Sequence, residues 1–280
     1  MKRRKFIKKS ILGIFGVGLI TGFYSWQIEP FWLEFVHIKM PIKNLPDSLQ
    51  GKTLMQISDM HVKDSSSCNY LVESFKEAQN YHPDFVVYTG DFVSYKDHTQ
   101  IERLKVVTTS AVKGSLGTWA VLGNHDYGWR WSQPEVANAI VDVLENSKVT
   151  TLRNTQDEKH GLNVIGIDDY WAINFKPEKV MTMLDQEKAN IVLCHNPDVC
   201  DLDIWNGYKG WILSGHTHGG QVKPPFVDPP VLPVKNKRYN AGKIPLSDHR
   251  TLYINRALGY LHQVRLNVRP EITLFELIFA

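Results

Sequence analysis

The feature that most constrains this 280-residue chain is one pattern met five times, a short apolar run that ends in acidic, amide or imidazole side chains. Residues 53–58 run into Asp59 and His61, residues 85–88 into Gly90-Asp91, and residues 118–122 into Gly123-Asn124-His125-Asp126. Residues 191–193 run into His195-Asn196-Pro197-Asp198. Trp211-Ile212-Leu213 runs into Ser214-Gly215-His216-Thr217-His218-Gly219-Gly220-Gln221. Between the runs, residues 69–79, 98–112, 134–146 and 177–184 predict helices. Strands alternating with helices predict an α/β fold, whose ligands gather beyond the C-terminal ends of the strands. The acidic, amide and imidazole candidates all fall at such ends.

Alternate residues of a regular strand face opposite ways, so His216 and His218 alone are a weak signal. A glycine-rich turn changes this, because glycine tolerates backbone angles that let both rings converge. The strand ends together supply Asp59, His61, Asp91, Asn124, His125, His195, His216 and His218. Mixed carboxylate, amide and imidazole donors suit Mn²⁺, Fe or Zn²⁺ and argue against a thiolate-bound structural zinc. So many groups exceed what one ion with an open position needs. Two ions about 3.5–4 Å apart, bridged by a carboxylate, use them naturally and generate a hydroxide nucleophile between them. His125, beside the ligand Asn124, suits a general acid for a departing oxygen. Asp126 either fixes the His125 tautomer or stabilises the turn.

Asp59-Met60-His61, Gly90-Asp91, Gly123-Asn124-His125-Asp126, His195 and Gly215-His216-Thr217-His218, in this order, resemble the calcineurin-like metallophosphoesterase superfamily. The Arg3-Arg4 start, the run from Gly215 to Gln221, Lys237-Arg238-Tyr239 and Arg269-Pro270-Glu271-Ile272 resemble its bacterial membrane-anchored YaeI/YkuE-type phosphodiesterase subgroup. The resemblance implies a four-layer α/β/β/α sandwich of two mixed β-sheets flanked by helices. It implies that Asp59, His61 and His218 hold one divalent ion, that Asn124, His195 and His216 hold the other, and that Asp91 bridges them. The activity implied is hydrolysis of phosphodiester or pyrophosphate bonds, with a lipid-linked substrate as its most specific form. A UDP-2,3-diacylglucosamine hydrolase of lipid A synthesis, a phosphomonoesterase or protein phosphatase, and a non-catalytic scaffold on the same fold are the alternatives. A scaffold is expected to lose ligands and the histidine matching His125, and this chain keeps them all. Arg256, Lys237 and Arg238 are candidates for holding the substrate's phosphate, against a competing reading as solvated surface charge.

The formal charge of +3 misleads, because Lys2, Arg3, Arg4, Lys5, Lys8 and Lys9 crowd the first ten residues. Without those six, 26 basic residues face 29 acidic ones, a balance of −3, so the body carries no electrostatic footprint for nucleic acid. Residues 11–26 are apolar and uncharged. As a helix they span about 24 Å against a hydrocarbon core of about 30 Å, sufficient with snorkelling lysines and an interfacial Trp26. The segment before them resembles a twin-arginine export signal, but no Ala-x-Ala-like cleavage site follows, which favours an uncleaved anchor. Basic residues ahead of the anchor predict a cell-membrane protein with its catalytic domain on the extracytoplasmic side. The organisation expected is a tail and anchor or signal over 1–28, a connecting strand and turn over 29–52, and a metallophosphoesterase domain over 53–280. After Gln221, the prolines at 224, 225, 229, 230 and 233 mark a loop expected to lie over the site. Cys68, Cys194 and Cys200 are too few and too irregularly spaced for a disulfide framework.

Overall fold

Two six-stranded mixed sheets carry the fold in this computed structural model, which describes residues 3–280 and only the backbone of Arg4. Met1 and Lys2, part of the expected basic tail, lie outside the described residues. Across the first sheet the order is β1 (Glu34–Ile42), β12 (Glu271–Phe279), β2 (Thr53–Ile57), β3 (Phe85–Thr89), β4 (Gly117–Val121) and β5 (Thr150–Thr151). Across the second it is β10 (Gly242–Pro245), β11 (Thr251–Ile254), β9 (Trp211–Ser214), β8 (Ala189–Cys194), β7 (Leu162–Ile167) and β6 (Thr155–Lys159). Strands β2, β3, β4 and β5 are parallel, as are β7, β8, β9 and β11. Their C-terminal ends therefore deliver the five motifs to one edge of the sandwich.

Period-2 alternation sorts each buried strand onto two cores. Leu54, Phe85, Val87 and Phe275 of the first sheet meet Val164, Ile191, Leu193, Leu213 and Tyr253 of the second. Met55, Ile57, Val86 and Tyr88 point the other way, against the helices α2 (Ser65–Gln79), α3 (His98–Thr108) and α4 (Pro134–Asn146). Each such large apolar side chain contributes about 1.5–3 kcal/mol by burial. Ile165, Val192, Ile212 and Leu252 form the outer face of the second sheet. They are covered by the one-turn helix α5 (Glu178–Met181), the turn Pro197–Asp201, Trp205 and Tyr208. The four-layer sandwich is present, with a thin fourth layer.

Two strands depart from the sequence reading. Residues 155–159, which no apolar run marks, form β6, paired antiparallel with β7 around Gly161. No apolar periodicity marks this edge strand, because its neighbour β7 supplies all the burial. Residues 242–245 likewise form β10, an edge strand antiparallel to β11.

The helix α1 (Arg3–Phe23) continues through a π turn, Tyr24–Ile28, and a 3₁₀ turn, Glu29–Phe31. Within it Leu12, Phe15 and Ile20 are 71%, 63% and 72% exposed. The 27-residue segment Lys5–Phe31 is long and apolar enough to cross a bilayer. Among the described residues, the hydrogen bonds that tie it to the body are at its base. The Arg265 backbone N–H donates to the Ser25 carbonyl at 2.9 Å, the Gln263 side-chain amide to the Trp26 carbonyl at 3.0 Å, and the Val268 N–H to the Glu29 carboxylate at 2.5 Å.

Candidate metal centre

Past the strand ends, two groups of donors converge. Asp59, His61 and His218 bring one ligand atom each within 4.8 Å of one another, and so do Asp91, His195 and His216. All six are buried. Asp91 faces both groups, its Oδ2 standing 3.6 Å from His61 Nε2 and 3.1 Å from His195 Nε2. Asn124 Oδ1 is buried without a hydrogen-bond partner, and an unshared lone pair of this kind suits a cation ligand.

The local backbone shows how a strand end gathers these groups. Asp59, His61, Asp91, His216 and His218 all have φ between 48° and 72°. Non-glycine residues avoid this left-handed region, and holding each there costs about 1 kcal/mol or more. The left-handed turns swing His216 toward His195 and His218 toward His61, which a continuing strand would not do. Two glycines make room. A Cβ on Gly90, itself at φ +94°, would stand 2.7 Å from His195 Nδ1, and one on Gly215 would overlap the Asp59 carboxylate.

Hydrogen bonds set the ring tautomers. His195 Nδ1–H donates to the Thr89 carbonyl at 2.7 Å, which leaves Nε2 facing Asp91 Oδ2. His216 Nε2–H donates to the Pro233 carbonyl at 2.9 Å, which leaves Nδ1 facing His195 Nε2 at 3.3 Å. His61 Nδ1 meets the Ser94 hydroxyl at 3.0 Å, and His61 Nε2 lies 3.0 Å from His218 Nε2. Lone pairs this close need a proton or a cation between them.

The charges agree. Burial opposes ionising Asp59, but the imidazoles of His218 and His195 draw its pKa down to about 2. Burial also opposes ionising Asp91, and His195 and His125 outweigh it, so the carboxyl sits well below its usual range. His195 is raised well above the usual histidine value, because Asp91 and Asp59 outweigh its burial. Burial lowers His61 well below that value, and burial with the neighbouring His195 lowers His216 to about 3. Two buried carboxylates thus face one firmly charged imidazole, a deficit that divalent cations match. The donor set fits two such ions.

His125 is half-buried beside the centre, its ring 5.2 Å from that of His61 and its N–H bonded to Asp91 Oδ1 at 2.9 Å. Asp126 is turned away from that ring. Its Oδ1 accepts from the N–H groups of Phe92 and Val93 at 2.8 and 3.2 Å, and its Oδ2 from Gly123 N–H at 2.9 Å. These three bonds clamp the Asp91 loop to the Asn124 loop. Arg256 spans Glu271 and Glu34, the latter at 2.9 Å. Lys237 Nζ donates to the carbonyls of Leu232, at 2.7 Å, and Val234, at 2.5 Å. Arg238 is exposed. The candidate phosphate cations are thus two internal braces and one solvent-facing side chain.

Trp171 was not singled out by any motif, yet its ring packs edge-on against His216 at 4.5 Å and stacks on Trp131 at 4.7 Å. Nor was the buried Arg265 singled out, whose guanidinium donates to the carbonyls of Arg256, Ala257, Gly259 and Val268. That brace holds the loop in which Leu258 and Gly259 bond the backbone of Ser58 and Asp59. The Trp171 contacts are distant in sequence, and the Arg265 contacts, though local, go to backbone carbonyls that sequence does not mark. A cavity of about 290 Å³ beside Tyr208 and Trp211 lies at the opposite, N-terminal ends of β8, β9 and β11.

A buried acid and imidazole centre at the strand ends of a two-sheet sandwich defines a class, the metal-dependent hydrolases of phosphate esters. The chain belongs to one family of that class, the calcineurin-like phosphoesterases, whose profile matches residues 52–220. Over 99% of its length it is 28% identical to all of Phosphodiesterase YaeI of Escherichia coli. It is also 28% identical to the metallophosphoesterase YkuE of Bacillus subtilis, across 99% of this chain and 98% of that one. To the UDP-2,3-diacylglucosamine pyrophosphatase LpxG of Chlamydia trachomatis it is 26% identical, across 98% of each. Among solved structures, a dimetal phosphatase from Danio rerio shares the fold, with a TM-score of 0.50 and 10% identity over 74% of this chain and 88% of that one. The chain is therefore a hydrolase of a family that uses two divalent metals.

Proposed function

We propose that the chain is a membrane-anchored, two-metal hydrolase of phosphodiester or pyrophosphate bonds. The observation that carries this reading is Asp91, one buried carboxylate facing both His61 and His195. Asp59, His61 and His218 would hold one ion, Asn124, His195 and His216 the other, and Asp91 both. Two divalent ions, when bound, supply Lewis-acid stabilisation of phosphoryl charge and lower the pKa of water in the site. Mn²⁺, Fe and Zn²⁺ all suit the donors.

The remaining work falls to the chain itself. His125, half-buried at the edge of the centre, gives a proton to the departing oxygen, while its own N–H secures Asp91. Asp126 keeps the two loops in register. Trp171 and Trp131 wall the His216 side of the centre and limit the approach of water. Names among the relatives, a phosphodiesterase and a diacylglucosamine pyrophosphatase, favour a diester or pyrophosphate over a monoester, and the exposed apolar helix favours a lipid-linked one. Basic residues ahead of that helix favour a catalytic domain outside the cytoplasm.

The test is hydrolysis by the full chain in detergent, with Mn²⁺, of bis-p-nitrophenyl phosphate against p-nitrophenyl phosphate. Diester turnover lost in both Asp91→Ala and His125→Ala variants supports the proposal. A preference for the monoester moves the assignment to a phosphatase, and absence of turnover with Mn²⁺, Fe²⁺ and Zn²⁺ leaves only a scaffold role.

A further inference from the structure

The proline-rich loop between residues 222 and 234 stands on the metal centre at both ends. At its start Gln221 follows His218 by three residues, and at its end the Pro233 carbonyl accepts from His216. Its middle turns outward. Phe226 is fully exposed, and Val231 and Val227 are 71% and 54% exposed, an arrangement with no folding benefit in water.

The same loop is joined to the base of the apolar helix. Lys223 N–H donates to the Leu266 carbonyl, and the Gln221 side-chain amide donates to the carbonyls of His262 and Val264. Residues 263–268 in turn hold Ser25, Trp26 and Glu29, as described for the helix base. Leu261 and Val264 are exposed on this bridging segment, and Trp26 and Ile28 on the helix beside it. A continuous network of backbone and side-chain hydrogen bonds thus links helix base, bridging segment and loop, and exposed apolar side chains occur on all three.

We infer that the tip of the 222–234 loop, led by Phe226 and Val231, inserts into the membrane interface beside the anchor, so that the centre takes an amphiphilic phosphate ester directly from the bilayer. This rests on the reading of residues 5–31 as a membrane anchor. Commitment to a lipid surface rather than a protein partner follows from that continuity, since a bilayer is already the medium around the helix that the loop adjoins. The tip presents Phe226, Val227 and Val231 among prolines with one exposed acid, Asp228, the mixed composition of an interfacial rather than a deeply buried wedge, and Lys223 is exposed at its foot. A rigid proline loop also loses little conformational entropy on insertion.

The test uses the full chain reconstituted in phosphatidylcholine/phosphatidylglycerol vesicles, in a Cys68→Ser background, with a single environment-sensitive dye at Phe226→Cys, Leu12→Cys or His160→Cys. Position 160 lies at the opposite end of the sandwich, on the β6–β7 turn. Lipid-borne nitroxide is expected to quench the dye at 226 and at 12 strongly, and soluble iodide the dye at 160. Iodide quenching at 226 like that at 160 overturns the inference. Position 12 then shows whether the anchor reading stands or falls with it. A second measurement reads function. Phe226→Asp/Val231→Asp is expected to reduce turnover of a vesicle-embedded phosphodiester lipid about tenfold or more while leaving soluble bis-p-nitrophenyl phosphate within about twofold. Equal turnover of the embedded lipid by variant and parent also overturns it, as does intermolecular cross-linking through 226 in place of lipid quenching.

Discussion

The two halves of the centre are built from the same residue types, one carboxylate and two imidazoles each, but they are held differently. In the second half, His195 and His216 both donate to backbone carbonyls, Thr89 at 2.7 Å and Pro233 at 2.9 Å. A carbonyl only accepts, so each ring keeps a proton on its outer nitrogen and turns the other nitrogen inward before any ion arrives, and in His195 that inner nitrogen holds a proton on Asp91 for an ion to displace. In the first half, His61 leans on the Ser94 hydroxyl, which can donate or accept, and His218 Nδ1 is buried without a partner. The second half is prearranged by the main chain. The first depends on its ion for order, so the second should fill first in a metal titration.

The largest expected effect removes what the halves share. Asp91→Ala should lower kcat/KM at least about a thousandfold and reduce bound metal below two ions per chain, read by steady-state assay and elemental analysis. Retention of both ions would show that Asp91 does not bridge. His125→Ala should cost about a hundred- to a thousandfold with metal content unchanged, and less on substrates whose leaving group needs no proton. An equal loss on good and poor leaving groups would remove the general-acid role.

A smaller effect sharpens the comparison directly. Ser94→Ala should weaken the ion in the first half about tenfold or more and leave the second untouched, giving a wider gap between the two phases of a calorimetric titration. Equal weakening of both phases would mean that the two halves are not independently supported.

Much of the centre was legible because each candidate ligand sits at a strand end, where an apolar run gives the strand and the next polar residue gives the donor. The run at 85–88 and Asp91, or 191–193 and His195, needed nothing beyond local pattern. The partners that distinguish the halves were not legible. Thr89 and Pro233 act through backbone carbonyls, which sequence does not mark, and Ser94 is 33 positions from the ring that it meets. Arg256 read as a free cation for the same reason, since its partner Glu34 is 222 residues away. Strand β6 lacked apolar periodicity because an edge strand beside buried β7 needs none. Asp126 was placed in the right turn but with two roles open, because whether a carboxylate faces an imidazole or three N–H groups depends on how two loops dock.

The smallest expected effect concerns stability. Asp169 is buried near the second half, with Oδ1 accepting from Trp171 N–H at 2.8 Å and Oδ2 unpartnered. Burial raises its pKa from 3.8 to about 7, against the pull of His195. A carboxyl raised in the folded state favours folding most when protonated. Its cost is therefore absent below the unfolded value near 3.8, grows as pH rises, and is complete above about 7. Asp169→Asn keeps an oxygen for the Trp171 N–H and cannot ionise. In metal-free protein the variant should gain about 2–3 kcal/mol on the parent between pH 5 and pH 8, read by urea denaturation at both values. A stability difference that does not change with pH would mean that Asp169 stays ionised, paired with His195. In that case the second half would carry a second carboxylate charge, and its preference for filling first would come from electrostatics as much as from main-chain order.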